Sequence, residues 1–340
     1  MKEVVHGYVG NTVATPVMQS FGCDVAALNT VQFSNHTGYR QFKGTYTTAQ
    51  QITEIWKGLE DSHIDDFHMI LSGYLPNAPS VEALGHIAKS LKNKSTIAQE
   101  KVFWILDPVL GDNGKCYVDK DVIPVYKSLL RFADMLLPNQ FEAETLSGIK
   151  ITDMETLKEA ISILHDQYHI PHILVTSVDF SSGIDSTSFC AVGSTKTSDN
   201  RPRPFRIKIP LIDCTFVGTG DMLAALMLVF FREAVCDTAG LLDTPYWCSD
   251  DKVKSTDLPL AKAAEKSLAG INDVLHATKL IYDVEMESYY QKVGGMEAAQ
   301  ANETTRAQHQ LAKSKAAEVR LVRNIPRLKC PVVNFTAEIL

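Results

Sequence analysis

The chain has 340 residues, of which 45% are hydrophobic and 21% charged, and its formal net charge is −7. This composition is typical of a globular protein with a sizeable core, and the acidic balance argues against a nucleic-acid partner, although a local site can still bind an anion. The seven cysteines form no Cys-x-x-Cys pair and the longest apolar run, Met222 to Phe231, is about half a membrane span, so we expect a cytoplasmic or nuclear protein with reduced thiols and no membrane partner.

Short apolar, β-branched runs alternate with stretches of helical periodicity. Strands are predicted at 68–74, 102–108, 134–139 and 172–177, with helices at 80–92 and 152–168. The second helix opens with Thr152-x-x-Glu155, the pattern of a capping box, and carries Leu157, Ile161 and Leu164 on one face. This alternation predicts an α/β fold: a mostly parallel central sheet with helices on both faces.

The second half of the chain is less regular. Residues 187–194 and 204–212 lack a helix between them and predict an antiparallel pair at one side of the sheet. The polar, turn-rich stretch 241–258 is interpreted as a surface insertion, and 285–315 as a solvated helix or a disordered loop. The last residues, 330–340, predict one more strand. No repeat or domain boundary is evident, so residues 1–340 are expected to form a single domain.

Polar groups gather where the predicted parallel strands end. In open parallel sheets the loops at the carboxyl ends of strands line the ligand crevice. Any one of these groups alone is more simply a helix cap or a solvated turn, but together they suit Mg²⁺ and phosphate oxygens. They are Ser72-Gly73-Tyr74, Asp107 to Asp112, Pro138 to Glu142, Thr176-Ser177 and Gly218 to Asp221.

The Gly218–Asp221 turn precedes an apolar helix and fits a phosphate best. Glycines let backbone N–H groups approach an anion, and a helix N-terminus adds about half a positive charge. Asp221 would then accept a hydroxyl proton during phosphoryl transfer. No Walker A sequence occurs, and from these four residues a plain capping turn is an equally good interpretation.

Upstream, "QFSNHTGY" (32–39) packs polar side chains around one glycine. Such a run is also typical of a hairpin or loop, and a lone histidine such as His36 is more often structural than catalytic. No Cys-His or Ser-His-Asp spacing can be defended, so hydrolase chemistry of that type is not expected.

These segments, in this order, resemble the pyridoxal kinase family of the ribokinase-like superfamily. The matching segments are "HGYVGN" (6–11), "NTVQFSNHTGY" (29–39), "SGY" (72–74), "DPVLGD" (107–112), "PNQFEAE" (138–144), "VTS" (175–177) and "FVGTGD" (216–221). The resemblance runs from about residue 5 to a helix end near Ile281 and resumes at the last strand; 241–258 and 285–324 find no counterpart. It implies a three-layer ribokinase-like sandwich that uses ATP and Mg²⁺ to phosphorylate the 5′-hydroxymethyl group of pyridoxal, pyridoxine or pyridoxamine.

The resemblance also implies roles for individual residues. Asp221 would be the base, and Gly218, Thr219 and Gly220 would form the anion hole. Asp112 and Glu142, with Asp107, would organise the metal. The nucleotide would be bordered by Asp107, Asn139, Glu142, Thr176, Ser177, Ile212, Asp213, Cys214 and Thr219. The pyridine ring would be held by Val9, Phe33, Thr37 and Tyr74, beside Asp221, under a lid formed by 113–117.

Two departures from the family pattern matter. Leu137 stands where the family usually has threonine, so activation by K⁺ would have to rely on backbone oxygens. The family also has an apolar strand ending in a ring-contacting serine just ahead of HGYVG, where this chain has MKEVV. Since Val4 and Val5 are assigned to the turn and helix start around Gly7 and Gly10, we expect this strand to be missing and the chain as given to be a weak, aggregation-prone kinase.

Two alternatives stay open. One is a hydroxymethylpyrimidine-type kinase of the same superfamily, whose substrate pocket is not expected to share QFSNHTGY. The other is a non-catalytic binding protein that keeps the kinase fold, which a missing first strand would favour and the intact GTGD, DPVLGD and PNQFE would oppose. A homodimer is implied by the resemblance alone.

Overall fold

A computed structural model describes residues 1–98, 101–112, 114–178, 180 and 187–340. Its strands, in chain order, are β1 (Glu3–His6), β2 (Val31–Asn35), β3 (Gly44–Tyr46), β4 (Met69–Ser72), β5 (Phe103–Leu106), β6 (Gly111–Asp112), β7 (Lys115–Cys116), β8 (Met135–Leu136), β9 (His172–Val178), β10 (Ser188–Thr195), β11 (Pro204–Pro210) and β12 (Glu338–Ile339). Its helices are α1 (Asn11–Ser20), α2 (Ala49–Asp61), α3 (Ala78–Ala98), α4 (Val122–Leu129), α5 (Gln140–Ser147), α6 (Met154–Tyr168), α7 (Thr219–Cys236), α8 (Pro259–Val293), α9 (Met296–Gln300), α10 (Glu303–Ala316) and α11 (Ile325–Lys329).

The main sheet has seven strands in the order β12-β11-β10-β9-β8-β5-β4. The four strands from β4 to β9 run parallel, and β10, β11 and β12 complete the sheet as antiparallel neighbours. The mostly parallel sheet and the antiparallel pair at its side are therefore confirmed.

Alternating side chains of the main sheet enter two separate cores. Along β5, Phe103 and Ile105 join a cluster with α1, α7 and α8, whereas Trp104 and Leu106 join another with α3, α4, α5 and α6. Because successive side chains of a strand point to opposite faces, a strand buried on both faces has to be apolar throughout. Helices thus cover both faces, which confirms the three-layer α/β arrangement.

Two local predictions differ from the structure in detail. The cap of α6 is one residue later than predicted: Asp153 and Thr156, not Thr152 and Glu155, exchange the side-chain and backbone hydrogen bonds of the box. The predicted apolar face is correct, since Leu157, Ile161 and Leu164 are fully buried. The final strand exists but is only two residues long, because β12 pairs with β11 through Glu338 and Ile339 alone.

A second sheet of three strands, β1-β2-β3, stands beside the main one. The prediction that Val4 and Val5 belong to the turn around Gly7 is wrong: they lie in β1, which pairs parallel with β2. Val4 is buried against Val9 and Phe33, and this contact favours an extended backbone there. β1 does not join the main sheet, whose end strand is β4.

The segment 241–258 consists of three short 3-10 turns, and the turn-rich prediction is correct. It is less superficial than predicted, because Leu241, Trp247 and Leu258 are buried in the core of α7 and α8. Trp247 stacks on Phe103 with the two ring centroids 4.4 Å apart. Nearby, the Arg203 guanidinium donates hydrogen bonds to backbone carbonyls on both sides, those of residues 195, 196, 249, 250 and 253.

The polar stretch 285–315 is helical, which decides between the two alternatives left by the sequence. α8 continues to Val293 rather than ending near Ile281, and α9 and α10 fold back along it. α10 begins with a capping box between Asn302 and Thr305. Among the residues that the structure describes, no helix combines the length and apolar character that crossing a membrane requires.

Candidate active site

The Gly218–Asp221 turn lies at the start of α7. Gly218 is the N-cap residue, with φ +87°, and a Cβ atom there would fall 2.0 Å from the Tyr8 carbonyl oxygen. Only glycine tolerates both the left-handed backbone and this close approach. The turn therefore packs directly on the chain between β1 and α1, which joins the two sheets at the site.

Asp221 occupies the third position of α7 and is only 6% exposed. The N-cap residue, Gly218, has no side chain and so makes no capping hydrogen bond to this helix. The Asp221 Oδ2 atom lies 3.6 Å from the Lys2 Nζ atom. A buried carboxylate in the first turn of a helix, where the first four backbone N–H groups lack intrahelical acceptors, is suited to work on an anionic group.

Two further buried carboxylates follow β5 and β8 along the chain: Asp107 lies in the loop after β5, and Glu142 lies in the first turn of α5. Burial raises the pKa of Asp107 well above its usual value, and the charges of Glu142 and Asp221 add to the rise. Burial likewise raises the pKa of Glu142 to about 7, even though backbone N–H groups stabilise its charge. Asp107, Glu142 and Asp221 therefore share one low-dielectric region, as the sequence predicted.

Glu142 is fixed by the first turn of α5. It accepts hydrogen bonds from the backbone of Leu110 (2.9 Å), Gly111 (3.4 Å) and Asn139 (2.9 Å). The Asn139 side chain caps α5 by accepting from the Glu142 amide, and its Nδ2 donates to the Gly111 carbonyl at 2.7 Å. The PNQFE and DPVLGD segments are thus locked together through backbone contacts.

The predicted lid is the hairpin of β6 and β7. Gly111 pairs with Cys116, and Asp112 with Lys115, while Asn113 lies outside the described residues. Burial is the main cause of the raised pKa of Glu142, and the nearby Asp112 charge at the base of the hairpin adds to it.

The predicted nucleotide residues lie on β9 and in the loop ahead of α7. Thr176 donates its backbone N–H to the Pro138 carbonyl at 2.9 Å, which ties the end of β9 to the start of the Asn139 cap. Ile212 and Cys214 form a tight turn, with a 2.7 Å backbone hydrogen bond between them. Burial raises the pKa of Cys214, and around it the cations Lys279 and Lys313 are balanced by the anions Asp283 and Asp213.

The predicted ring-binding residues come from the small sheet. Val9 and Phe33 are buried in its core, with Tyr74 packed against them. Thr30 Oγ1 donates to the Tyr74 carbonyl at 2.9 Å, which connects SGY to β2. Thr37 opens a 3-10 turn after β2, and a Cβ atom on its neighbour Gly38 would lie 3.4 Å from Val217. The ring-side loop therefore meets the Gly218 turn.

The negative charge of this site suits a metal ion, although the protein side chains alone do not form a complete set of metal ligands. Among the described residues, no three His, Cys, Asp or Glu side chains come close enough together to hold a metal. Mg²⁺ commonly keeps several waters and takes one or two carboxylates together with substrate phosphates. Burial is the main cause of the raised pKa values of Asp107 and Glu142, and neighbouring carboxylates add to both rises, which a divalent cation would counteract.

Two residues near the site were not expected from the sequence. No sequence motif surrounds Lys2, and Glu318 lies just beyond the polar stretch 285–315. The Glu318 carboxylate is 7% exposed and reaches the 3-10 turn that contains Thr37. The one available signal was its setting between apolar residues in "AAEVRLV" (316–322), which is unusual for an exposed segment.

Comparisons with known proteins agree with this geometry. The family model described as phosphomethylpyrimidine kinase matches residues 18–229. Sheep pyridoxal kinase (Ovis aries) is 36% identical over 240 residues, covering 68% of this chain and 75% of that protein. Pyridoxal kinase of Arabidopsis thaliana is 37% identical over 228 residues, covering 66% and 71%.

The fold is also similar to solved structures. Pyridoxal kinase from Leishmania donovani in complex with ADP and pyridoxamine superposes with a TM-score of 0.78 and 26% identity, over 100% of this chain and 97% of that one. The match spans both sheets and the C-terminal helices. The chain belongs to the pyridoxal kinase family of the ribokinase-like superfamily.

Proposed function

We propose that the chain is an ATP-dependent kinase that transfers the γ-phosphoryl group to the 5′-hydroxymethyl group of pyridoxal, pyridoxine and pyridoxamine. The observation that carries the proposal is the buried Asp221 at the start of α7, behind a turn that only glycine can form. The relatives named for this activity support the substrate.

Asp221 would accept the proton of the 5′-hydroxyl group while the hydroxyl oxygen attacks the γ-phosphorus of ATP and ADP leaves. The N–H groups of 218–220 would stabilise the charge on the phosphoryl oxygens, aided by the helix dipole. Burial of Asp221 matters because electrostatic interactions strengthen where water is excluded. Lys2, near Asp221, would add positive charge on the same side.

The nucleotide would lie over the ends of β8 and β9. Asn139, Thr176 and Ser177 would border it on the sheet side, and the 212–214 turn with Thr219 on the side of α7. The β6–β7 hairpin would close over the phosphates and exclude water.

Mg²⁺ would be held by Asp112 and Glu142, with Asp107 close by, and would neutralise phosphate charge. Leu137, 4% exposed in the core of the sheet, supplies no side-chain oxygen for K⁺. Activation by K⁺ would have to use backbone oxygens of this region. A single domain, a homodimer and a cytoplasmic location complete the proposal on the family resemblance.

The test is pyridoxal-dependent ATP turnover by the purified chain, followed by measurement of pyridoxal 5′-phosphate from its absorbance. We expect turnover that requires both pyridoxal and Mg²⁺. ATP binding with no pyridoxal-dependent turnover at any Mg²⁺ concentration would favour the non-catalytic binding protein.

A hydroxymethylpyrimidine kinase is the second candidate, because the matching family model carries a phosphomethylpyrimidine kinase description. Side-by-side kcat/KM values for pyridoxal and hydroxymethylpyrimidine separate the two. A higher value for hydroxymethylpyrimidine would replace the proposal.

A further inference from the structure

A carboxylate from the C-terminal part of the chain lies under the ring-side loop. Glu318, just after α10, accepts a hydrogen bond from the Tyr39 hydroxyl at 2.9 Å. The same carboxylate oxygen is 3.0 Å from His36 Nε2. His36 and Glu318 are each less than a tenth exposed, so this contact is buried rather than a surface ion pair.

The His36 ring is oriented by its own loop. Its Nδ1 atom accepts the Gly38 backbone N–H at 3.2 Å, so a neutral ring carries its proton on Nε2, the atom that faces Glu318. The side chain of Ser314, in α10, donates a further hydrogen bond to the Gly38 carbonyl at 3.3 Å. The turn is therefore held by His36 from within its own loop, and by Ser314 and Glu318 from the C-terminal part of the chain.

Glu318 also fits closely against the turn after β1. A Cβ atom on Gly7, whose φ is +102°, would lie 2.7 Å from both carboxylate oxygens. Burial alone would raise the pKa of Glu318, but the hydrogen bonds from His36 and Tyr39, with the His6 charge, hold it below its usual value. The group is an ionised acceptor enclosed by donors.

The 3-10 turn of this loop buries little apolar surface. None of the residues Thr37–Tyr39 is buried, and Phe42 further along is 40% exposed, although its ring lies 4.8 Å from that of Phe33. Yet Gly38 reaches Val217, the residue before the Gly218 turn. The position of the loop relative to the phosphoryl-transfer turn thus depends on the polar contacts from 314–318.

We propose that Glu318 is a positioning residue that holds the His36–Tyr39 loop in the conformation that binds the pyridine ring. This inference rests on the proposed function and assigns the C-terminal segment a part in vitamer affinity. Glu318 would act on the vitamer through its contacts with His36 and Tyr39.

The experiment compares Glu318→Ala, Glu318→Gln and Tyr39→Phe with the wild-type chain, measuring KM for pyridoxal and for ATP separately. Hydrogen bonds to a charged group are strong enough that losing them should raise the pyridoxal KM about tenfold or more in Glu318→Ala. We expect the ATP KM to change less than about twofold, since a merely structural defect would move both.

Glu318→Gln keeps the shape and an acceptor oxygen, so it should recover part of the pyridoxal affinity. The matched control is Glu287→Ala, which removes an exposed acidic side chain of α8 that accepts a hydrogen bond from Gln291 on the same helix face. It should leave both KM values unchanged.

Equal rises in both KM values, or an unchanged pyridoxal KM in folded Glu318→Ala, would overturn the inference. If Glu318→Ala does not fold, Tyr39→Phe and Glu318→Gln carry the test, and an unchanged pyridoxal KM in both has the same meaning. Absence of pyridoxal-dependent turnover in the wild-type chain would instead refute the proposed function.

Discussion

The seven-stranded sheet and the three-stranded sheet differ in what holds each of them. The large sheet is covered by apolar side chains on both faces, including fully buried Trp104, Phe205 and Phe231. The buried core of the small sheet contains Val4, Val9, Val31 and Phe33, and its loop is fastened by polar contacts. On the proposed function, the apolar large sheet would form the nucleotide side of the site and the small sheet the vitamer side.

This division is useful for a phosphotransferase. Apolar burial stabilises in proportion to area and has no preferred geometry, whereas hydrogen bonds are directional. The large sheet can therefore provide stability, while the small sheet and its polar contacts decide how the acceptor molecule is placed. Changes in the two regions should then have different consequences.

The largest effect is expected where the two regions meet. Asp221→Asn should lower kcat by about 10²–10⁴-fold, the usual result of losing a general base, with little change in melting temperature. ATP binding, followed by calorimetry, should persist. Retention of more than roughly a third of normal turnover would return Asp221 to a structural role.

Phe103→Ala tests the large sheet. Phe103 is 2% exposed and stacks on Trp247, so its removal should lower the free energy of unfolding by about 3–5 kcal/mol. Phe42→Ala, at a 40% exposed position in the loop between β2 and β3 where the ring packs on Phe33, is the control and should cost only about 1 kcal/mol. Denaturant unfolding measures both free energies. Similar losses of unfolding free energy in the two variants would contradict the difference proposed between the two sheets.

The acid stability of the large sheet should depend on buried histidines. Burial lowers the pKa of His165 to about 4, while in the unfolded chain it is about 6.5. The unfolded state then binds more protons between these values, so this contribution is present above pH 6.5 and is lost as the pH falls toward 4, at up to about 1.4 kcal/mol per pH unit. His165→Gln should flatten the fall in unfolding free energy relative to wild type. Parallel curves would contradict the assignment.

The smallest effect concerns Mg²⁺. Asp112→Asn should weaken the apparent Mg²⁺ affinity by about 10–100-fold, with a defect that shrinks as Mg²⁺ is raised. Glu142→Gln should do the same but also lower stability, because Glu142 accepts three backbone N–H groups. If the variants changed only the pyridoxal KM, and this change did not depend on the Mg²⁺ concentration, the assignment of both carboxylates to the metal would be wrong.

Much of the large sheet could be predicted from the sequence because its periodicity reports burial directly. The alternation of apolar strands with helices such as 152–168 predicts a parallel sheet covered by helices, and the polar residues at the strand ends mark the ligand crevice of that sheet. The placement of Asp107, Glu142 and Asp221 in one region follows from that fold alone.

The small sheet and the C-terminal segment could not be predicted in the same way. β1 has four residues, too few for periodicity to separate a strand from a turn, and its partner is distant along the chain. Glu318 contacts Tyr39, 279 positions away, through side chains whose polarity is typical of a solvated surface. Long-range polar contacts leave no local pattern in a sequence.

The Arg203 contacts have a consequence for how the chain tolerates cutting and insertion. The segment 241–258 has the composition of a surface loop, yet a single guanidinium gathers its carbonyls with those of β10 and Trp247 anchors it. Susceptibility to proteases and acceptance of inserted tags depend on how easily the backbone is released, not on polarity. A fusion partner is therefore better placed at the exposed Gly294, in the turn between α8 and α9, than in the stretch that looks more like a linker.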